Sequence, residues 1–500
     1  MRRATIPSDR WIFAAGLAAL VAVSVWIREP GFTQGGFGSH DVGGILYNAM
    51  VLVRGGLPYV DTVEYKAPGS FYLAAAGFAG PEGRDIARLQ VCANLWGIAG
   101  LIGLTAFARR LWTTRAALTA GAIYCLYDAF LDSLDGNYVT WAALPQLLAM
   151  FTGYEAAVRT RGRRWWLLAG VLLGLATLCK RPAGVGLLVL LGWAWTRARA
   201  PGVVAVVAGF VVAHVPISLH YLAHEHLADL WLGYLFNPWA PAYVGARDHP
   251  IALELWEGTL ATTHVLTIPL ALAAFAWFGR DRNAAWLRAW LVGALLSAFV
   301  GFRFYKGYYL PVAAPIALLA AAPWGLLGAG WPRRRAWRVA ASLVLVTLVV
   351  RQIYWIDHVR DSRSRPRDQG ARIIATHVTT HTEPEDRIWI WGWHLWGVYA
   401  LADRMSGSRV YKSLGLLTPP NDNTWRRPGT KTRFIPGPAA ELVLEDLERT
   451  RPAYLVFGST VPHREFTELK AFLRHHGYRR DRRVRLGRVQ FWRRYPTASP

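Results

Sequence analysis

Long stretches of this chain are apolar, with few charges or none. The first, Trp11–Ile27, follows Arg2, Arg3 and Arg10, and similar runs recur near 88–108, 116–131, 138–158, 165–179, 183–196, 202–222, 259–279, 286–302, 308–328 and 337–356. Each is close to the length that carries a helix across about 30 Å of hydrocarbon. The first run lacks a small-x-small cleavage site, so it reads as a retained helix rather than a signal peptide. The pattern predicts an all-α polytopic membrane protein with about eleven spans, 165–196 forming a tight hairpin. The apolar piece at 69–80 is too brief to cross and is expected in the membrane interface. Beyond residue 357 the pattern changes. Helical periodicity at 371–380, 395–403, 438–450 and 463–476 alternates with β-rich runs at 387–392, 408–412 and 453–458 and a hairpin-like pair near 482–494. That alternation predicts an α/β domain over 357–500, after a membrane domain over 1–356.

Composition agrees with a membrane protein. Hydrophobic residues are 53% of the 500, charged residues only 18%, and mean hydropathy is +0.20, which excludes a disordered or ordinary cytosolic chain. Cys92, Cys125 and Cys179 all fall in apolar runs, so neither a disulfide framework nor a CxxC pattern is present. A net charge of +24 invites a nucleic-acid reading, but the charges follow topology instead. With the N-terminus in the cytosol, the inner connections collect nineteen arginines, among them Arg109, Arg110, Arg163, Arg164, Arg333 and Arg334, against only Asp9, Glu155 and Asp281. The outer loop 223–258 carries Arg247 against Glu225, Asp229, Asp248, Glu254 and Glu257. This is the positive-inside pattern, and it places 357–500 outside the cytosol of a bacterial-type plasma membrane. No basic-aromatic module points to nucleic acid. The C-terminal segment has 26 Lys+Arg against 15 Asp+Glu, a cationic surface suited either to plain solvation or to anionic lipid or glycan.

Candidate chemistry concentrates in the first outer loop, 28–87. Val42, Ile45, Leu46, Ala49, Met50 and Val53 recur at helical spacing, which predicts an amphipathic helix lying in the interface, ended by Gly55-Gly56 and Pro58. Asp41 stands at its N-terminal edge, where a carboxylate serves equally as helix cap or as reactive group. Cations at outer span ends break the sidedness: Lys180 and Arg181, Arg303 and Lys306, and Lys66 in the loop itself. They either snorkel to headgroups or share a phosphate-bearing ligand, with Tyr308 beside them. Asp61, Asp132 and Asp135 are secondary acidic candidates. His220, His224 and His226 have spacing that a divalent metal accepts, although the sequence requires no cofactor. No Walker loop, dinucleotide fingerprint or nucleophile elbow occurs.

The order of these motifs resembles the polyprenyl-phosphate-dependent glycosyltransferases of the GT-C fold, of the dolichyl-phosphate-mannose-protein mannosyltransferase and aminoarabinose transferase type. The likeness rests on a first-loop Asp41, the Gly55-Gly56-Leu57-Pro58-Tyr59-x-Asp61 turn, Lys66-Ala67-Pro68-Gly69, and Arg303-Phe-Tyr-Lys-Gly-Tyr-Tyr-Leu-Pro311. Three positions depart from the family pattern: Ala67 replaces a Pro, Val42 follows Asp41 where the eukaryotic members have Glu, and Tyr65 precedes the Lys where aminoarabinose transferases have Glu.

The resemblance implies an enzyme that moves a sugar from a polyprenyl phosphate to a hydroxyl of a cell-envelope glycan, lipid or protein. Its phosphate leaving group needs cations rather than an acid: Lys66, Arg303, Lys306, Lys180 and Arg181 are the expected donors. The acceptor hydroxyl needs one carboxylate as base, expected to be Asp41. One base without a nucleophile implies inversion. A polytopic transporter or flippase is the competing class. It would place ionisable groups at the bilayer midplane, whereas these lie at span ends. A non-catalytic assembly partner is the third reading, distinguished by absence of transfer.

Overall fold

The structure, a computed structural model, describes residues 7–33, 40–78, 86–158, 162–241, 250–277, 282–302, 304–326, 346, 349–361, 368–392, 395–413, 415–419, 433–459, 461–483 and 486–495. These form two compact units. One comprises 1–35, 87–216 and 251–365; the other comprises 36–86, 217–250 and 366–500.

The first unit is helical. It holds α1 (Pro7–Thr33), α4 (Ile86–Leu111), α5 (Thr114–Tyr127), α6 (Tyr138–Val158), α7 (Arg163–Cys179), most of α8 (Gly186–Ala223), α10 (Ile251–Trp277), α11 (Arg282–Phe299), α12 (Leu310–Leu326) and a helical stretch over 349–361. Thr113 caps α5, its hydroxyl accepting the Ala116 N–H at 3.4 Å. The expected tight hairpin is present: α7 ends at Cys179 and a 3-10 turn, Arg181–Val185, leads into α8. Helix α8 breaks at Arg199 (φ 55, ψ −151), two residues before Pro201, so the expected runs 183–196 and 202–222 are separate helices end to end. Asp9–Thr33, Ile86–Leu111 and Arg181–Ala223 are long and apolar enough to cross a membrane, and Ala285–Phe299 and Lys306–Ala322 are shorter apolar helices. Most of the expected run 337–356 lies outside the described residues.

Helix α12 is the hub of this unit. Its sequence has no charge, and Leu310 to Ala322 are buried throughout, as a helix apolar on every face requires. It packs against α5, α6, α10 and α11. Between α7 and α8, glycines set the spacing: a Cβ on Gly170 would lie 2.1 Å from the Val206 carbonyl oxygen, and one on Gly209 would lie 2.0 Å from that of Leu167. Small residues of this kind let apolar helices approach backbone to backbone.

The second unit is a three-layer α/β assembly. Its sheet runs β1-β2-β4-β3, with β1 (Ile388–Trp391) parallel to β2 (Tyr454–Phe457), and β4 (Gln490–Arg494) antiparallel to both β2 and β3 (Tyr478–Asp481). The parallel pair is IWIW beside YLVF, both strands buried along their length, and period-2 alternation divides it. Trp389, Trp391, Leu455 and Phe457 face one helix layer, α16 (Pro438–Thr450) and α17 (Thr467–His475). Ile388, Ile390, Tyr454 and Val456 face the other. Edge strand β3 carries exposed Arg479 and Arg480, charges that discourage further pairing.

The second helix layer contains α14 (Gln369–Thr380), α15 (Gly397–Ala402) and, unexpectedly, α2 (His40–Val53) from the first loop. Every residue from Val42 to Val51 is buried, which corrects the expectation of an amphipathic interfacial helix. Its Gly43-Gly44 face admits Gly397, while Tyr47, Met50 and Val51 pack on the sheet side. The loop is thus part of the α/β unit. Helix α3 (Gly69–Phe78) packs on α2, and α9 (Leu227–Tyr234) belongs to the same unit. A further departure is 408–412, which forms no strand: only Ser406 bridges to Ile388, and the chain then runs alongside Val63, whose N–H donates to the Arg409 carbonyl at 2.7 Å.

Candidate active site

In the α/β unit, Asp41 is half-buried at the start of α2, where the helix dipole favours a carboxylate. Asn48, two turns further on, lies on the same helix face. It reaches the buried Glu64, the centre of a polar network that sequence reasoning did not single out. One carboxylate oxygen of Glu64, Oε1, accepts the backbone N–H of Tyr65 at 2.8 Å and of Lys66 at 3.0 Å, and pairs with the Lys412 ammonium. The other, Oε2, accepts the Tyr411 hydroxyl at 2.5 Å and the Asn48 amide at 3.1 Å. The Asn48 carbonyl oxygen in turn accepts from Thr62 at 2.8 Å. Asn237 donates to the backbone carbonyl of Glu64 at 2.6 Å.

Glu64 is 1% exposed and Lys412 6%, so both charges are held out of water. Burial acts to raise the Glu64 carboxyl, but the Lys412 charge and the bonds from Lys412, Tyr411 and the Tyr65 N–H outweigh it and hold the group below its ordinary value. Burial lowers the Lys412 ammonium, with Glu64 offsetting only part of that. The ammonium also lies 4.2 Å from the centroid of the Tyr65 ring, a cation–π contact. Asp41 and Lys66 are both within electrostatic range of Lys412. Lys66 itself is half-buried, with its backbone clamped on both sides: its N–H by Glu64 and its carbonyl by the Tyr59 hydroxyl at 2.5 Å.

Other candidates in this unit have local work. The Asp61 carboxylate accepts the Leu57 N–H at 2.7 Å and closes the turn after Gly55 (φ 79). His220 is bonded to the Tyr72 hydroxyl at 3.1 Å, His224 to the His220 carbonyl at 2.9 Å, and His226 to Asp229 at 2.7 Å. The three rings therefore face different partners. Among the described residues no three His, Cys, Asp or Glu side chains are gathered as a metal site.

In the helical unit the cations cluster around the segment before α12. Lys306 lies 3.2 Å from Asp132, and Gly307 permits that approach, since a Cβ there would meet the Asp132 carboxylate at 2.9 Å. The Lys180 ammonium lies 3.6 Å over the Tyr308 ring, and Arg181 begins the adjoining 3-10 turn, half-buried. Asp135 is fully buried and accepts the Asn137 N–H at 3.2 Å within its own turn. Arg303 lies outside the described residues. Its neighbours Phe302 (φ 51) and Phe304 (φ 43) have left-handed backbone, a conformation that costs aromatic residues energy. Asp128, near these acids in sequence, is paired with the buried Arg28, which also bonds Ser24, Asn94 and Ser133.

Nothing in the sequence singles out Glu64 or Lys412: Glu64 stands between Asp61 and Lys66, and Lys412 three residues after Arg409. Their burial follows only from their pairing.

Residues 65–220 match the model of the family described as dolichyl-phosphate-mannose-protein mannosyltransferase. No curated protein sequence matches the chain. Among solved structures, ArnT from Cupriavidus metallidurans bound to undecaprenyl phosphate superposes with a TM-score of 0.63 at 14% identity, covering 97% of this chain and 99% of that one. The archaeal oligosaccharyltransferase AglB from Archaeoglobus fulgidus, in complex with an inhibitory peptide and a dolichol-phosphate, gives 0.58 at 12% identity, covering 99% and 75%. The resemblance read from the first-loop motifs thus meets a likeness in three dimensions, and the chain has the GT-C fold of these solved structures.

Proposed function

We propose that the protein is a membrane glycosyltransferase that moves a sugar from a polyprenyl-phosphate donor to a hydroxyl of an extracytosolic envelope acceptor. The observation that carries this reading is the joint placement of Asp41 and Lys66 in one unit: Asp41 begins α2, and Asn48 of that helix bonds the Glu64 carboxylate that holds the Lys66 N–H. A carboxylate and an ammonium are the two groups the chemistry asks for. Lys66 holds the donor phosphate, so that charge developing on the leaving phosphate meets a fixed cation. Asp41 takes the proton of the acceptor hydroxyl as its oxygen attacks the anomeric carbon. The sugar–phosphate bond breaks on the opposite face, which inverts the anomeric centre by the logic of single displacement.

The cations of the helical unit are separate candidates for anionic oxygens. Lys306 is about half-exposed, and an exposed ion pair such as Lys306–Asp132 is worth only about 0–1 kcal/mol, so it exchanges readily for a better anion. In this reading 357–500 lies outside the cytosol, where the lipid tail of the donor stays in hydrocarbon. The test is mass-spectrometric detection of sugar loss from a panel of polyprenyl-phosphate sugars incubated with the purified full chain and envelope extracts. Loss of sugar from one donor with gain on an acceptor supports the reading; donors intact across the panel reject it.

A further inference from the structure

The Glu64–Lys412 pair is more than a filled space. A buried Lys–Glu pair is often no more stabilising than two apolar residues of the same volume, so stability alone does not account for it. What an apolar pair could not supply is the Oε1 acceptor that takes two consecutive backbone N–H groups, those of Tyr65 and Lys66. That acceptor brings a cost. A full negative charge lies two residues from Lys66, the cation proposed to hold a phosphate, and like charges at close range in a dry site repel strongly. Lys412, supplied from a segment 348 positions later in the chain than Glu64, places its ammonium on that same oxygen.

We infer that Glu64 and Lys412 are positioning residues for the phosphate site: Glu64 fixes the Lys66 backbone, and Lys412 supplies the counter-charge that keeps Glu64 from opposing phosphate binding. This rests on the reading of Lys66 as the phosphate ligand. The groups that face Glu64 are Asn48 from α2, Thr62 through Asn48, Tyr65 and Lys66 from its own turn, and Tyr411 and Lys412 from the later segment. Among these groups, Lys412 is the cation that pairs directly with the carboxylate. The C-terminal segment is thereby assigned a part in donor recognition, not only in building the sheet.

The inference makes a prediction about sign. Lys412→Met and Glu64→Gln break the same ion pair, so a purely architectural role predicts that both weaken ligand binding together. A counter-charge role predicts opposite directions. Lys412→Met leaves an unbalanced carboxylate beside the phosphate, and undecaprenyl phosphate should bind about tenfold more weakly or worse at pH 8. Glu64→Gln keeps an acceptor for the two N–H groups and removes the negative charge, so binding should hold or tighten. The double variant Glu64→Gln/Lys412→Met restores neutrality and should bind within about threefold of the parent.

The experiment is titration of the purified full chain and the three variants with undecaprenyl phosphate, with Lys66→Ala alongside. Should Lys412→Met fail to fold, Glu64→Gln and the double variant still decide: both binding at or above the parent level supports the inference, and both markedly weaker overturns it. Lys412→Met and Glu64→Gln weakening together, or Lys412→Met binding like the parent, also overturns it. If the parent binds no undecaprenyl phosphate, or Lys66→Ala binds as the parent does, the phosphate role of Lys66 fails and the inference falls with it.

Discussion

A single methyl group tests how the first loop is packed. Gly43 lies two residues after Asp41 on α2, and a Cβ added there would meet the Gly397 Cα at 2.7 Å and its N at 2.9 Å. Both are backbone atoms, so no side chain can swing away. Ordinary contact begins near 3.4 Å, so α2 and α15 must separate by about 0.7 Å. Overpacking of this kind costs roughly 1–3 kcal/mol. Ala gains up to about 1 kcal/mol over Gly in a helix interior, which leaves Gly43→Ala destabilising by up to about 2 kcal/mol, since the clash is with backbone. Gly44→Ala is the matched control. Its Cβ would meet the Tyr411 hydroxyl at 3.2 Å and a Trp396 side-chain carbon at 3.6 Å, so its net change should be within about 0.5 kcal/mol of zero. The assay is thermal unfolding of both variants in detergent, paired with donor turnover. Gly43→Ala should unfold at lower temperature and lose turnover, because the displaced helix carries Asp41. Equal stability of the two variants, or a gain in Gly43→Ala, would refute the packing of α2 described above.

Three further outcomes are expected. Asp446 is buried and accepts from Arg409 and Arg449; burial acts to raise its carboxyl, but those bonds and the Arg409 N–H hold it below its ordinary 3.8. Its contribution is therefore present above about pH 4 and fades as the pH falls below that. Asp446→Asn should cost about 1.5–3 kcal/mol at pH 7, toward the low end because Arg449 is mostly exposed, and the gap to the parent should narrow progressively in unfolding scans as the pH falls below about 4. Lys66→Ala should weaken donor binding by roughly 1.5–3 kcal/mol, measured by titration, with unfolding temperature little changed. A Cys placed at the exposed Ser459 should react with a membrane-impermeant thiol reagent in intact cells; protection until lysis would reverse the proposed topology.

The fold was largely legible because hydrophobic periodicity is a local signal. Among the described residues the apolar runs appear as helices at nearly the expected bounds, and IWIW and YLVF announced the parallel strand pair through β-branched and aromatic content. What escaped was everything that depends on partners far away in sequence. Val42, Ile45, Leu46 and Ala49 mark one apolar stripe, but only the presence of the sheet and of α15 shows that the rest of α2 is covered as well. Stretch 408–412 has β-rich residues yet spends its hydrogen bonds on Asp446 and on Val63, so it forms no ladder. Asp41 and Lys66 were singled out from motif order. Glu64 was not, because in the sequence it is one acid among six in a loop, and its meaning comes from Lys412. Lys306 and Asp132 were singled out separately, and nothing in their spacing announced that they pair.

The central claim is that Asp41 is a base and not merely a helix cap, and one substitution separates the two. Asn caps a helix nearly as well as Asp, so Asp41→Asn should leave α2 and expression intact. An amide cannot take a proton from a hydroxyl, so loss of the base should cost about 100-fold or more in turnover. The measurement is donor affinity and sugar transfer on the same purified variant. Retained donor binding with transfer reduced at least that far is the predicted result. Transfer at the parent rate would contradict it and reduce Asp41 to a cap.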